Sequence, residues 1–207
     1  DEWPLRRAVP TAYSLRGGGR AATLHGDGRL NPVPPGAEPA DSYVYNPRDP
    51  APTRGGGLCC SHVWTPGGVY DQRPVEARPD VLVYTAPPLD RALEVTGPIT
   101  VTLWAASSAA DTDWTAKLVD VHPDGYAQNL TDGIIRAAYR HGPEAARPLT
   151  PGAVERYEID LGATSNVFLP GHRIRLEISS SNFPRFDRNP NTGRPAAAEA
   201  DLRPAFQ

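Results

Sequence analysis

Ile99-Thr100-Val101-Thr102-Leu103-Trp104-Ala105 is the stretch that decides the fold. On a strand, successive side chains point to opposite faces. Ile99, Val101 and Leu103 therefore share one face, and Thr100, Thr102 and Trp104 share the other. Period two of this kind predicts a strand with one buried side. The same pattern recurs further along. Val154–Leu161 sets Tyr157, Ile159 and Leu161 against Arg156, Glu158 and Asp160. Arg173–Ser179 turns Ile174, Leu176 and Ile178 inward. Strands are also expected at Val81–Thr85, Thr115–Val121, Tyr126–Leu130 and Gly133–Arg140, with His122-Pro123-Asp124-Gly125 as a turn. Many short strands separated by turn residues predict an all-β protein, two sheets packed as a sandwich. Val101, Leu103, Ile159, Leu161, Ile174, Leu176 and Ile178 are expected in one core.

The remainder is punctuated rather than periodic. The chain has 207 residues, with 24 prolines and 19 glycines, too many breakers for long helices. Residues 1–57 are irregular, with short strands expected at Ala12–Leu15 and Ser42–Tyr45 and a long loop over 46–57. A helical stripe is sustained only at Pro195–Arg203. The tail Arg194–Gln207 is expected to end without a strand, which points to an edge strand beyond Gln207. Hydrophobic residues at 39% suffice for one core, so residues 1–207 are read as one β-sandwich domain, truncated at both ends. No internal repeat supports a propeller or solenoid.

The charge pattern narrows the partners. Net charge is -3, the sequence pI is about 6.0, and no basic run or aromatic-basic interleaving occurs, so nucleic acid is not an expected partner. No apolar run is long enough to span a membrane. Cys59 and Cys60 are adjacent and form no disulfide framework, which slightly favours a cytoplasmic setting.

Catalytic signatures are not evident. There is no Gly-x-Ser-x-Gly elbow, no His-Glu-x-x-His, no paired Cys-x-x-Cys and no Walker loop. His25, His62, His122, His141 and His172 read as solvated loop histidines. Asp111, Asp113, Asp120, Asp124 and Asp132 could supply oxygens to calcium. Their spacing fits turn caps and a buried pair with Lys117 or an arginine better. Cys60 and His62 would share one strand face, a conceivable nucleophile and base. Trp3, Trp64, Trp104 and Trp114 could stack on a sugar, but core packing or an interdomain contact accounts for them better. No metal and no cofactor is expected.

A set of ordered segments carries a family resemblance. They are Asn46-Pro-Arg-Asp-Pro-Ala-Pro-Thr53, Gly55-Gly-Gly57, Asp71-Gln-Arg-Pro74, Arg78-Pro-Asp-Val-Leu-Val-Tyr-Thr85 and Leu93-Glu-Val-Thr-Gly-Pro98. Asp111-Thr-Asp-Trp-Thr-Ala-Lys-Leu-Val-Asp-Val121, Pro123-Asp-Gly125 and Asp132-Gly-Ile134 follow. The strongest are Ser165-Asn-Val-Phe-Leu-Pro-Gly-His-Arg-Ile174 and Ser179-Ser-Ser-Asn-Phe-Pro-Arg-Phe-Asp-Arg-Asn189. Together they resemble the C-terminal domain of the X-Pro dipeptidyl-peptidase and cocaine-esterase (CocE/NonD) hydrolases. The first 45 residues match more loosely, chiefly through Asp1-Glu-Trp-Pro4.

The resemblance implies a jelly roll similar to galactose-binding folds. It also implies an α/β-hydrolase domain in the same polypeptide that holds a Ser-His-Asp triad upstream of Asp1. None of that triad maps onto this sequence, so this chain is expected to be inactive by itself. In the family, the segment after Gly57 is a short apolar strand facing the catalytic cleft. Here it is Leu58-Cys59-Cys60, which either alters the acyl pocket of the parent enzyme or fills the sandwich core. Leu58, Cys59 and Cys60 are thus cleft-facing candidates. Phe183, Arg185, Phe186, Asp187 and Arg188 are interdomain candidates, because aromatic and arginine side chains populate interface centres. The alternative for Phe183 and Phe186 is that they close the end of the sandwich.

The leading expectation is an accessory domain that helps shape the cleft of a serine hydrolase. X-Pro peptides, esters and β-lactam acyl chains all remain open as parent substrates. A carbohydrate-binding jelly-roll module is the alternative, and a homodimer is a further expectation.

Overall fold

The computed structural model describes residues 2–58, 66–194 and 199–207. Among the described residues ten strands form: β1 (Ser14–Arg16), β2 (Arg29–Asn31), β3 (Val44–Tyr45), β4 (Leu82–Thr85), β5 (Leu93–Ala105), β6 (Asp113–Val121), β7 (Ala127–Arg136), β8 (Glu155–Phe168), β9 (Arg173–Ser179) and β10 (Ala205–Phe206). Helix among the described residues is confined to one turn of α1 (Arg73–Glu76), begun by Pro74, and a 3-10 turn at Ala137–Tyr139. The all-β expectation holds.

Six strands form one sheet in the order β1-β2-β4-β9-β6-β7, antiparallel throughout except for the β2–β4 pair. Opposite it lie the two longest strands, β5 and β8, paired over twelve registered positions from Leu93↔Phe168 to Ala105↔Glu155. The inner faces of the two sheets form one apolar core. Val101, Tyr157, Ile159, Leu161 and Phe168 meet Leu82, Tyr84, Trp114, Ala116, Leu118, Ile174, Leu176 and Ile178. Six of the seven expected core residues lie in this cluster, and the seventh, Leu103, packs against it partly buried. Trp104, on the opposite face of β5, is 67% exposed, as the alternation requires.

The sheets come closest where β7 passes β8. A Cβ on Gly133 would sit 2.0 Å from the Asp160 carbonyl oxygen, so only glycine permits this approach. Beside it the Thr131 hydroxyl donates to the Leu161 carbonyl.

Several sequence readings need correction. Tyr126–Leu130 and Gly133–Arg140 merge into one strand, β7, because Thr131 and Asp132 continue the pairing with β6 across a bulge at Leu118/Val119, but that strand stops at Arg136, where the 3-10 turn begins. β5 begins earlier than Ile99, at Leu93, and β8 runs past Leu161 to Phe168. The chain does end in a strand. Ala205–Phe206 pairs with β3, and Gln207 exchanges backbone hydrogen bonds with Tyr43. Two residues are too few to show periodicity. Glu199–Arg203 is not helical, and Pro195–Ala198 lie outside the described residues.

Candidate functional site

The segment that leaves β9, Asn182–Asn189, is built against the long proline-rich loop. The Phe183 amide donates to the Ala51 carbonyl (3.0 Å), and the Thr53 amide donates back to the Phe183 carbonyl (2.7 Å). Pro52, lacking an N–H, faces Phe183 across this short parallel bridge without leaving a donor stranded. The Ala51 amide donates to Ser181 Oγ (2.8 Å), and the Arg185 amide donates to Thr53 Oγ1 (3.2 Å). The 46–57 loop is therefore a fixed support.

Charge pairing holds the side chains. Asp132, on β7, accepts from Arg185 Nη1 at 2.6 Å and from Asn182 Nδ2 at 2.8 Å, so each carboxylate oxygen has a donor. A Cβ on Gly56, which has φ +92°, would lie 2.7 Å from Arg185 Nη1, which explains a glycine there. The Arg185 guanidinium lies 5.2 Å from the Phe186 ring centroid, and that of Arg188 lies 5.5 Å from Phe183. Both distances fit cation–π attraction. Arg188 also reaches the Pro47 carbonyl (3.3 Å).

A second network anchors the far end. Arg136 bridges Asp113 (2.9 and 3.1 Å) and Asp187 (3.0 Å). Asn189 donates to Asp111 and Asp113, both at 2.9 Å, and Asp111 accepts from the Ala138 amide (2.8 Å). Burial pushes the Asp113 carboxyl above its ordinary value, and the Arg136 guanidinium opposes that shift. Arg136 is in turn held well above the usual arginine range, first by its hydrogen bonds to Asp113.

The result is a rigid ridge with an accessible crest. Phe183 (37% exposed), Pro184 and Asp187 face outward, while Arg185, Phe186 and Arg188 are half-buried. A groove of about 380 Å³ runs beside it, lined by Phe183, Asp187, Arg188, Pro190, Glu199, Ala200 and Leu202. Oriented guanidinium groups, aromatic faces and a carboxylate suit recognition rather than bond chemistry.

The structure groups Phe183, Arg185, Phe186, Asp187 and Arg188 on this ridge. Leu58 is half-buried and follows Gly57, where a Cβ would touch the Arg185 guanidinium at 3.7 Å. Cys59, Cys60, His62 and Trp64 lie outside the described residues. Trp3 is exposed, Trp104 faces out from β5, and Trp114 is buried against Tyr157. Among the described residues no two tryptophans pair.

The acidic stretch divides as turn caps and pairs. Asp124 caps the turn at the Tyr126 amide, and Asp113 pairs with Arg136. The arginine alternative thus holds, and Lys117 pairs with neither flanking aspartate. Its cross-strand neighbour on β9 is Glu177, and its Nζ reaches Glu177 Oε2 (3.0 Å) and Gln72 Oε1 (2.7 Å). Sequence spacing within one strand could not show that partner. His172 also departs from its reading as a solvated loop residue. It is buried and bonds Asp120 through Nδ1 at 2.8 Å.

Comparison with known proteins places this architecture. The family profile described as the X-Pro dipeptidyl-peptidase C-terminal non-catalytic domain matches residues 1–206. The cocaine esterase of Rhodococcus sp. (strain MB1 Bresler) is 48% identical over 198 residues, covering 96% of this chain and 34% of the esterase. The crystal structure of an aminopeptidase from a marine sediment Thaumarchaeota archaeon superposes with TM-score 0.80 at 36% identity, over 94% of this chain and 34% of that one. An α-amino acid ester hydrolase superposes with TM-score 0.79 at 32% identity, over 92% and 33%. The chain thus spans about a third of the length of the proteins it matches. It belongs to the family of X-Pro dipeptidyl-peptidase C-terminal non-catalytic domains.

Proposed function

We propose that this domain packs on an α/β-hydrolase catalytic domain of the same polypeptide, through the 182–189 ridge and, from the sequence reading, residues 58–60, and so helps form the wall of a serine hydrolase cleft. The observation that carries the reading is the state of the ridge. Its arginine side chains are held by Asp132 and Pro47, its backbone by Thr53, and its aromatic rings lie under the two guanidinium groups before any partner arrives, yet Phe183, Pro184 and Asp187 remain open. Side chains ordered in advance lose less entropy on docking. An aromatic–arginine cluster with polar groups around it has the composition of an interface centre.

The chemistry of the assembled protein would be attack of an activated serine on an ester or amide carbonyl, with the serine, its base and the oxyanion donors supplied by the catalytic domain. The relatives' names, an esterase, an aminopeptidase and an ester hydrolase, all fit that reaction class. The role of this domain would be to exclude water and fix the cleft wall. Titrating the chain calorimetrically with the separately produced catalytic domain tests the proposal. Saturable binding that weakens at least about tenfold in Phe183→Ala/Arg188→Ala supports it, since central aromatic and arginine anchors cost this much when truncated. Equal binding by the variant would move the interface elsewhere.

A further inference from the structure

The paired ends of β6 and β9 bring three metal-ligating side chains together. The last registered pair of these antiparallel strands is Val121↔Arg173, and Asp120 faces Ile174. His122 and His172 stand one step beyond that pair, at the mouths of the two turns. Residues two apart on a strand share a face, so Asp120 and His122 project to the same side. His172 joins them there. Its Nδ1 lies 2.8 Å from Asp120 Oδ1, and its ring centroid is 4.4 Å from that of His122. One donor atom from each of the three lies within 4.8 Å of the other two.

We propose that Asp120, His122 and His172 form a binding site for a divalent transition metal of the zinc type. Two imidazoles and one carboxylate are the ligand set such ions prefer, whereas calcium and magnesium take oxygens. A hydrogen bond alone would account for Asp120 with His172, but it gives no reason for a second imidazole against the first. Tetrahedral ligands about 2.1 Å from zinc stand about 3.4 Å apart. The Asp120 Oδ1–His172 Nδ1 separation of 2.8 Å would open to this spacing on binding, and all three donor atoms already lie within 4.8 Å of one another. Asp120 and His172 are buried, while His122 is half-buried and packs edge-on against Tyr126 at 5.2 Å, so the site opens on one side. On binding, the metal takes the place of the Nδ1 proton of His172, which moves to Nε2. The fourth position is left to water. The ion would tie the 122–125 turn to the 169–172 turn as a structural clasp.

The test is zinc titration of the tag-free chain by calorimetry, in a Cys59→Ser/Cys60→Ser background that removes competing thiolates. Cobalt absorption reports the geometry. One equivalent bound at micromolar zinc or tighter, with a tetrahedral cobalt spectrum and a rise in Tm, is the expected result. His122→Ala keeps the Asp120–His172 bond and the fold, and should weaken binding by at least about tenfold, as loss of even a supporting residue does at metal sites. His172→Ala should abolish it, and where that variant fails to fold, His122→Ala alone decides. No uptake at micromolar zinc, or equal uptake by His122→Ala, would overturn the proposal.

Discussion

Replacing Arg136 by methionine removes the cation that bridges the ridge to the core. Asp113 is 1% exposed and would keep only the Asn189 hydrogen bond at 2.9 Å. Breaking one side of a buried ion pair typically costs about 3–5 kcal/mol. Arg136 is 29% exposed at its side chain, and Asn189 stays in place, so the lower end applies, about 3 kcal/mol. For a chain of this size that corresponds to a fall in Tm of about 6–12 °C. The loss should also depend on pH. Burial already lifts the Asp113 carboxyl above its unfolded value, and without Arg136 it rises further. A carboxyl raised in the folded state destabilises the fold where it must ionise. Stability is regained as pH falls through the folded pKa, and the gain is complete below the unfolded one. Urea unfolding at about pH 7.5 and about pH 5 should therefore give the larger deficit at the higher pH. The double variant Arg136→Met/Asp113→Asn, which removes both charges, should recover most of it. A deficit under about 1 kcal/mol, or one equal at both pH values, would refute the claim that Asp113 is held ionised by Arg136.

Other outcomes follow from the same structure. Leu176→Ala, at the centre of the core and 7% exposed, should cost about 2–5 kcal/mol in urea unfolding. Glu76 is fully buried against Arg175 (2.6 Å), and burial first, then Glu177, pushes its carboxyl up to about 7. Its protonated form is thus favoured by folding, so stability should rise as pH falls from about 8 to 5, and Glu76→Gln should flatten that rise. The chain alone should not hydrolyse p-nitrophenyl acetate or an Ala-Pro chromogenic amide above buffer. Turnover that disappears in Cys60→Ala would reverse this expectation.

The sandwich was legible because its central strands carry one buried face each. Period two at Ile99–Ala105, Val154–Leu161 and Arg173–Ser179 placed the core residues correctly. The strands that escaped, β2 and β10, are three and two residues long, too short for any period to register. The residues of the ridge were singled out by their aromatic and arginine composition, but their supports were not. Asp132, Thr53 and Gly56 lie 53 to 132 residues away from Arg185 along the chain, and only the register of β7 and the course of the 46–57 loop bring them to it. The buried pairs Lys117–Glu177 and Glu76–Arg175 were hidden for the same reason, since each joins residues on separate elements. His172 looked like a turn histidine because the sequence shows the turn and not the strand end that buries it.

The docking claim is tested most directly by amide hydrogen exchange on the chain, alone and with its catalytic domain. The account predicts that added protection concentrates at residues 182–189 and 53–58, while the outer face of β5 and β8 around Trp104 exchanges as before. Protection centred on Trp104 and Val154, which are 67% and 65% exposed, with none at the ridge, would contradict it.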